Sequence, residues 1–158
     1  MSRIAERHRR AVELLNPQQG ERVLEIGCGH GIATGLVLAS GATVVAVDRS
    51  AKMIAACKKR NPTVDARELA FEQLDMTGFD AVLAVNVDFA RNGEANWAQR
   101  LHSATRPDGR VVLVLESPGL HPAERFRQAV VAALTAAGFA AESIGQPGLV
   151  AVTATRLP

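Results

Sequence analysis

The run "VLEIGCGHGIATG", from Val23 to Gly35, constrains this chain more than any other part of it. Aliphatic strand-formers lead into Gly27, Gly29 and Gly31, and a helix-like segment follows, so the glycines belong to a strand-to-helix turn. Such a turn lets a ligand or another segment come close to a backbone that carries no Cβ. A dinucleotide fingerprint has the spacing G-x-G-x-x-G and presents a helix N-terminus to a pyrophosphate. Here the spacing is G-x-G-x-G, and Ile32 stands where the third dinucleotide glycine should fall. Glu25, just before the first glycine, is ill suited to a phosphate and well suited to a cation, so the charge favours a cationic ligand.

Around this turn, strand and helix patterns alternate. Helices are expected over Arg3–Leu15, Ile32–Ala39, a segment N-capped by Ser50 and stopped by Pro62, Glu94–Ala104, and a stretch from Pro122 to Ala137. In the first of these, Ile4, His8, Val12 and Leu15 repeat at helical spacing, while Arg3, Glu6, Arg7, Arg10 and Glu13 cover the other face. Arg22–Ile26, Thr43–Val47, Asp80–Val85 and Val111–Leu115 read as buried strands with "RPDGR" as the turn into the last. Ala140–Ile144 and Leu149–Thr155 are also strand-like, but "GQPG" between them is too short for a crossover helix, so the last strand runs antiparallel. The expectation is one α/β domain over residues 1–158, with a doubly wound, mostly parallel seven-stranded sheet, helices on both faces and an antiparallel last strand. Ligands of such folds bind outside the carboxyl ends of the strands, where the glycine run lies.

Composition narrows the setting. The 158 residues are 47% hydrophobic, enough for one real core, and the formal charge of +2 gives little support to a nucleic-acid partner. Arg3, Arg7, His8, Arg9 and Arg10 form a basic cluster, but Glu6 and Glu13 interrupt it, and a solvated helix face is the simpler reading. Cys28 and Cys57 have no metal-ligand spacing and suit a reduced, cytoplasmic protein. The charged N-terminal segment has no signal-peptide core, and no apolar run is long enough to span a bilayer.

"VLEIGCGHG" resembles motif I of the class I S-adenosylmethionine-dependent methyltransferases, a Rossmann-like family with the pattern hydrophobic-hydrophobic-(D/E)-x-G-x-G-x-G. "DRSAKMI" is similar to the family's D-x-S-x-x-M segment, "DARELAF" to its D-A-x-x-L-P-F segment, "GFDAVLAVNV" to motif IV and "RPDGRVVLVLE" to its (R/K)-P-G-G turn and fifth strand. Asp108 replaces the usual first glycine of that turn, and only Thr63 and Val64 separate Pro62 from Asp65, which shortens the third strand. The resemblance implies S-adenosylmethionine as cofactor and S-adenosylhomocysteine as product. It places Glu25, Gly27, Cys28, Gly29, His30 and Gly31 around the cofactor, with Asp48 on the ribose hydroxyls and Arg49 and Met53 flanking the adenine. It gives the adenine amino group to Asp65 and the ring edge to Ala66, and adds Val85 and Asn86 at the end of the fourth strand. The helix within residues 1–20 would cover the cofactor edge.

The chemistry implied is methyl transfer to a small-molecule acceptor. Asp88, Glu116 and His121, the last in "ESPGLHP" after the fifth strand, are the candidate proton acceptors. "VNVDF" lacks the Asn-Pro-Pro-Tyr or Asp-Pro-Pro-Tyr signature of enzymes that methylate base amino groups. With no inserted substrate domain, the open alternatives are a methyltransferase acting on RNA or protein and a non-catalytic cofactor-binding subunit. The sequence also allows a homodimer.

Overall fold

The computed structural model describes residues 3–90, 95–116, 122–146 and 148–158. It contains helices α1 (Arg3–Leu15), α2 (Ile32–Ala39), α3 (Ala51–Arg60), α4 (Trp97–Ala104) and α5 (Pro122–Ala136). The strands are β1 (Arg22–Ile26), β2 (Thr43–Asp48), β3 (Asp65–Glu68), β4 (Phe79–Val85), β5 (Thr105–Glu116), β6 (Phe139–Gln146) and β7 (Leu149–Arg156). They form one seven-stranded sheet in the order β3-β2-β1-β4-β5-β7-β6. β1 to β5 are parallel, and β7 runs antiparallel to both β5 and β6, as the short GQPG connection requires.

Both faces of the sheet are covered. In β4, Phe79, Val82 and Ala84 enter a core layer with Trp97, Leu101, Val130 and Leu134 of α4 and α5. Ala81, Leu83 and Val85 of the same strand enter the opposite layer with Leu15, Ala33, Val37, Ile54 and Cys57 of α1, α2 and α3. Side chains alternate across a strand, so an unbroken apolar run is what two-sided burial demands. No described helix is long and apolar enough to cross a membrane.

Three details differ from the sequence reading. The buried row of α1 is Arg7, Ala11 and Leu15, with His8 and Val12 half-buried, so Arg7 is not on the outer face. Ala11 is completely buried because a methyl side chain lets α1 lie close, and the long stem of Arg7 can pack beside it. The turn "RPDGR" is a bulge inside β5: pairing jumps from Phe79 with Thr105 to Ala81 with Arg110. Asp108 takes the positive φ of 64° there, a conformation that aspartate tolerates better than most residues. α4 is described from Trp97, and residues 91–94, which include the expected start at Glu94, lie outside the described residues.

Just past the bulge, Arg110 donates from Nε to the Leu15 carbonyl at 2.6 Å and grips both carboxylate oxygens of Glu21 at 2.9 and 2.7 Å. This fork fixes the end of α1 to the amino edge of the sheet, opposite the glycine turn. The connection from β3 to β4 holds only a 3₁₀ turn, Phe71–Gln73, where a crossover would usually carry a full helix. Leu69, Phe71, Leu74 and Met76 of that connection pack on the sheet in its place.

Candidate functional site

Strand order reverses between β1 and β4, and a cavity of about 290 Å³ opens at the carboxyl ends of the strands on both sides of that point. Ile26 and Gly27 line it from β1, and Val47, Asp48 and Arg49 from β2. Leu69, Phe71 and Glu72 close it beyond β3, and Asn86, Val87 and Phe89 beyond β4.

The glycine turn is pinned to β2. The amides of Gly27 and Cys28 both donate to the Val47 carbonyl, at 2.8 and 3.1 Å. The Gly29 amide donates to Asp48 Oδ2 at 3.0 Å, and Ser50, which caps α3, donates its amide to Asp48 Oδ1 at 2.9 Å. Asp48 is therefore fixed by two backbone donors while its carboxylate lines the cavity, and its remaining lone pairs can accept from a ligand. Gly29 has φ of 53°, and a Cβ built on it would meet nothing within 4 Å. A Cβ on Gly27 would fall 2.5 Å from Val87 Cγ2, so that glycine lets the β4 loop close over β1.

Other expected residues lie elsewhere. Glu25 is 1% exposed, and its carboxyl accepts a hydrogen bond from the Thr34 hydroxyl beneath α2. Burial pushes its pKa up to about 7, outweighing the Thr34 bond, which acts the other way; the nearby Asp48 raises it further. Glu25 faces away from the cavity because the neighbours Leu24 and Ile26 take the opposite sheet face. Cys28 is buried, its thiol pKa pushed well up by desolvation, and does not line the cavity either. His30 is exposed, and its carbonyl accepts from Arg60. Met53 lies in the first turn of α3 with its amide on the Ser50 hydroxyl, and Val85 is buried under the carboxyl edge of the sheet.

The third strand sets the two residues expected at the adenine apart from the cavity. β3 begins at Asp65 opposite Val45 and reaches Glu68 opposite Asp48. Asp65 and Ala66 thus sit toward the amino end of the sheet, away from the cavity, with Asp65 paired to Arg67 at 2.8 Å and Ala66 in the core. The Arg67 guanidinium holds the Asp65 carboxyl below its usual range. Leu69, Phe71 and Glu72 occupy the corresponding end of the cavity. The sequence signal for them was the shortness of β3 itself, which carries the next residues to the strand end. Val87 and Phe89 were also missed, although both stand in the quoted VNVDF run.

Of the proton-acceptor candidates, Asp88 opens a 3₁₀ turn between two cavity-lining residues and Glu116 ends β5 opposite Leu149. Their side chains, and the whole of His121, lie outside the described residues. No described residue of α1 lines the cavity.

Comparison with known proteins places this architecture. The chain is 34% identical to a tRNA U34 carboxymethyltransferase of Hahella chejuensis over 72% of its own length and 40% of the relative's. It is 37% identical to a ubiquinone biosynthesis O-methyltransferase of Agrobacterium fabrum over 54% of its length and 37% of the relative's. The chain thus spans about two fifths of the length of these curated relatives. Among solved structures, magnesium protoporphyrin IX methyltransferase from Synechocystis PCC 6803 with bound SAM superposes with a TM-score of 0.77 at 17% identity, covering 97% of this chain and 79% of that one. The family profile described as a methyltransferase domain matches residues 23–109, which run from β1 into the bulge of β5 and carry every residue lining the cavity: the chain belongs to the methyltransferase-domain family.

Proposed function

We propose that this chain is an S-adenosylmethionine-dependent methyltransferase domain acting on a small-molecule acceptor. The observation that carries the reading is the Asp48 carboxylate, held by the Gly29 and Ser50 amides at the rim of a cavity whose glycine turn leaves open space above Gly29. That combination fits a ribose on the carboxylate and a ligand chain close to the backbone. The described lining residues carry two carboxylates, Asp48 and Glu72, against one arginine, Arg49, which suits a cationic nucleoside better than a dinucleotide with its pyrophosphate. When bound, S-adenosylmethionine supplies a methyl group on a sulfonium, activated for displacement by a nucleophile.

The protein's own share is placement. Asp48 would fix the ribose, Leu69, Phe71 and Glu72 would border the adenine, and Gly27, Asn86 and Val87 would bound the reacting end. Holding two reactants in line contributes about 7–11 kcal/mol in favourable cases, enough to make a dedicated base optional. For an acceptor that must lose a proton, Asp88 after β4, Glu116 at the end of β5 and, further along the sequence, His121 are the groups to test. A small acceptor is favoured over RNA because two of the arginines of α1, Arg9 and Arg10, are engaged by glutamates of their own helix. Arg9 bonds Glu6 at 2.6 Å and lies 3.7 Å from Glu13, and Arg10 lies 3.5 Å from Glu13. The free, buried thiols of Cys28 and Cys57 suit a reducing cytoplasmic setting.

Calorimetric titration with S-adenosylhomocysteine, NAD and NADP tests the cofactor, and mass-spectrometric screening of phenolic, amine and tRNA acceptors tests the substrate. Binding of S-adenosylhomocysteine alone, with methylation of a small phenol or amine, supports the proposal. NAD binding without S-adenosylhomocysteine binding overturns it, and methylation confined to tRNA overturns the small-molecule part.

A further inference from the structure

The glycine turn is held from below by the end of α3. Asn61, 8% exposed, donates from Nδ2 to the Gly31 carbonyl at 2.9 Å and to the Cys57 carbonyl at 3.3 Å. Its neighbour Arg60 donates from Nε to the His30 carbonyl at 3.2 Å. Two successive carbonyls of the turn are therefore captured by two successive side chains. The space for Asn61 is cut out of α2: a Cβ on Gly31 would lie 2.5 Å from its Nδ2, and one on Gly35 would lie 2.9 Å from its Oδ1. Gly31 and Gly35, a helical turn apart, thus clear the ground for one buried amide and not for a ligand. Filling alone would be served by an apolar side chain of similar size; the amide adds a fixed direction for the Gly31 peptide, since carbonyl and following N–H are coplanar and opposed.

We infer that Asn61, assisted by Arg60, is a positioning residue that sets the glycine turn for the amino-acid end of the cofactor. The inference rests on the S-adenosylmethionine reading above. In that reading the nucleoside is held by Asp48 and the groups beyond β3, none of which Asn61 touches. The aminocarboxypropyl chain is left to the turn and to the β1–β4 side of the cavity. Asn61 thus acts first on the amino-acid half, and the turn reaches the nucleoside half through the Gly29 amide on Asp48.

The test is calorimetric titration of wild type, Asn61→Ala and Arg60→Ala with S-adenosylhomocysteine and with 5′-methylthioadenosine, which keeps the nucleoside and lacks the amino-acid group. The expected result is a loss of S-adenosylhomocysteine affinity of about tenfold in Asn61→Ala and about threefold in Arg60→Ala, the scale of one lost hydrogen bond, with a clearly smaller loss of methylthioadenosine affinity in each. Equal weakening of both ligands would mark a general loosening and overturn the inference. Arg60 is exposed and its removal threatens no packing, so unchanged S-adenosylhomocysteine affinity in Arg60→Ala overturns it even where Asn61→Ala fails to fold. Wild-type protein that binds neither ligand overturns the cofactor reading first, and this inference with it.

Discussion

Phe71 and Phe89 stack with ring centroids 4.3 Å apart and planes 12° from parallel, joining the loop after β3 to the loop after β4 across the cavity. Phe89 leans in turn on Trp97 of α4 at 5.6 Å. The pair lets a 3₁₀ turn do the work of the missing crossover helix, because its rings cover the sheet edge and form the cavity wall together.

Removing either ring should have separable effects. Phe89 is buried, so Phe89→Ala should cost about 3–5 kcal/mol of stability, the usual range for an aromatic core truncation, whereas Phe89→Leu should lose mainly the ring contact, about 0.5–1.5 kcal/mol. Phe71 is only half-buried, and Phe71→Ala should lower S-adenosylhomocysteine affinity more clearly than it lowers the unfolding midpoint. Denaturant unfolding and calorimetry on the three variants check this. A Phe71→Ala protein with wild-type affinity would remove the ring from the ligand surface.

The register of β3 leads to a paired prediction. Asp48→Ala should weaken S-adenosylhomocysteine binding roughly ten- to a hundredfold, the effect of losing a charged acceptor worth about 1.5–3 kcal/mol. Asp65→Ala should leave affinity within about twofold, since it removes only an exposed pair with Arg67 whose worth is about 0–1 kcal/mol. Titrating both variants side by side decides it; equal losses would mean that β3 pairs further along than the structure has it.

What the sequence made legible was local. The β1–turn–α2 unit, the Ser50 cap and Asp48 closing a β-branched run each depend on near neighbours, and each stands where expected. The register of β3 was not legible because "DARE" has no hydrophobic alternation to fix it, and it is set instead by pairing to β2 and by the turn in which the Val64 amide reaches the Asn61 carbonyl. Hydrophobicity ranks Val12 above Ala11 as a core residue of α1, yet close helix approach selects the smaller one. Glu25 was read from its position at a strand end, while the face it takes depends on which layer lies on each side of β1.

Glu25 makes stability depend on pH in an unusual direction for a carboxylate. Its folded pKa, about 7, lies above the unfolded value of 4.5, so its contribution is fully present below about pH 4.5 and is lost as pH rises through 7. The loss is on the order of 3 kcal/mol. Glu25→Gln should abolish this dependence and be more stable than wild type near pH 8. His102, whose pKa burial lowers from 6.5, acts oppositely in part of the same window, and Glu21, lowered by Arg110, acts at more acid pH. Both are common to the two proteins and cancel in the difference. Unfolding free energies of wild type and Glu25→Gln from about pH 5 to pH 8 give the check; parallel curves would mean that Glu25 titrates in the native state as it does unfolded.

Gly29 and Gly31 should fail in different ways when substituted. An alanine at Gly31 would place its Cβ 2.5 Å from Asn61 Nδ2 and 2.9 Å from Cys57 Sγ, inside buried packing, so Gly31→Ala should destabilise the fold itself. Gly29 meets no protein atom within 4 Å, and its φ of 53° costs a non-glycine residue about 1–2 kcal/mol, which a folded domain can absorb. Gly29→Val should therefore stay folded with a lowered Tm while losing S-adenosylhomocysteine binding, because the branched side chain fills the space left above the turn. Circular dichroism melts paired with calorimetry separate the two outcomes. A Gly29→Val protein that binds S-adenosylhomocysteine as well as wild type would mean that the ligand does not approach this backbone, and the open space above Gly29 would need another explanation.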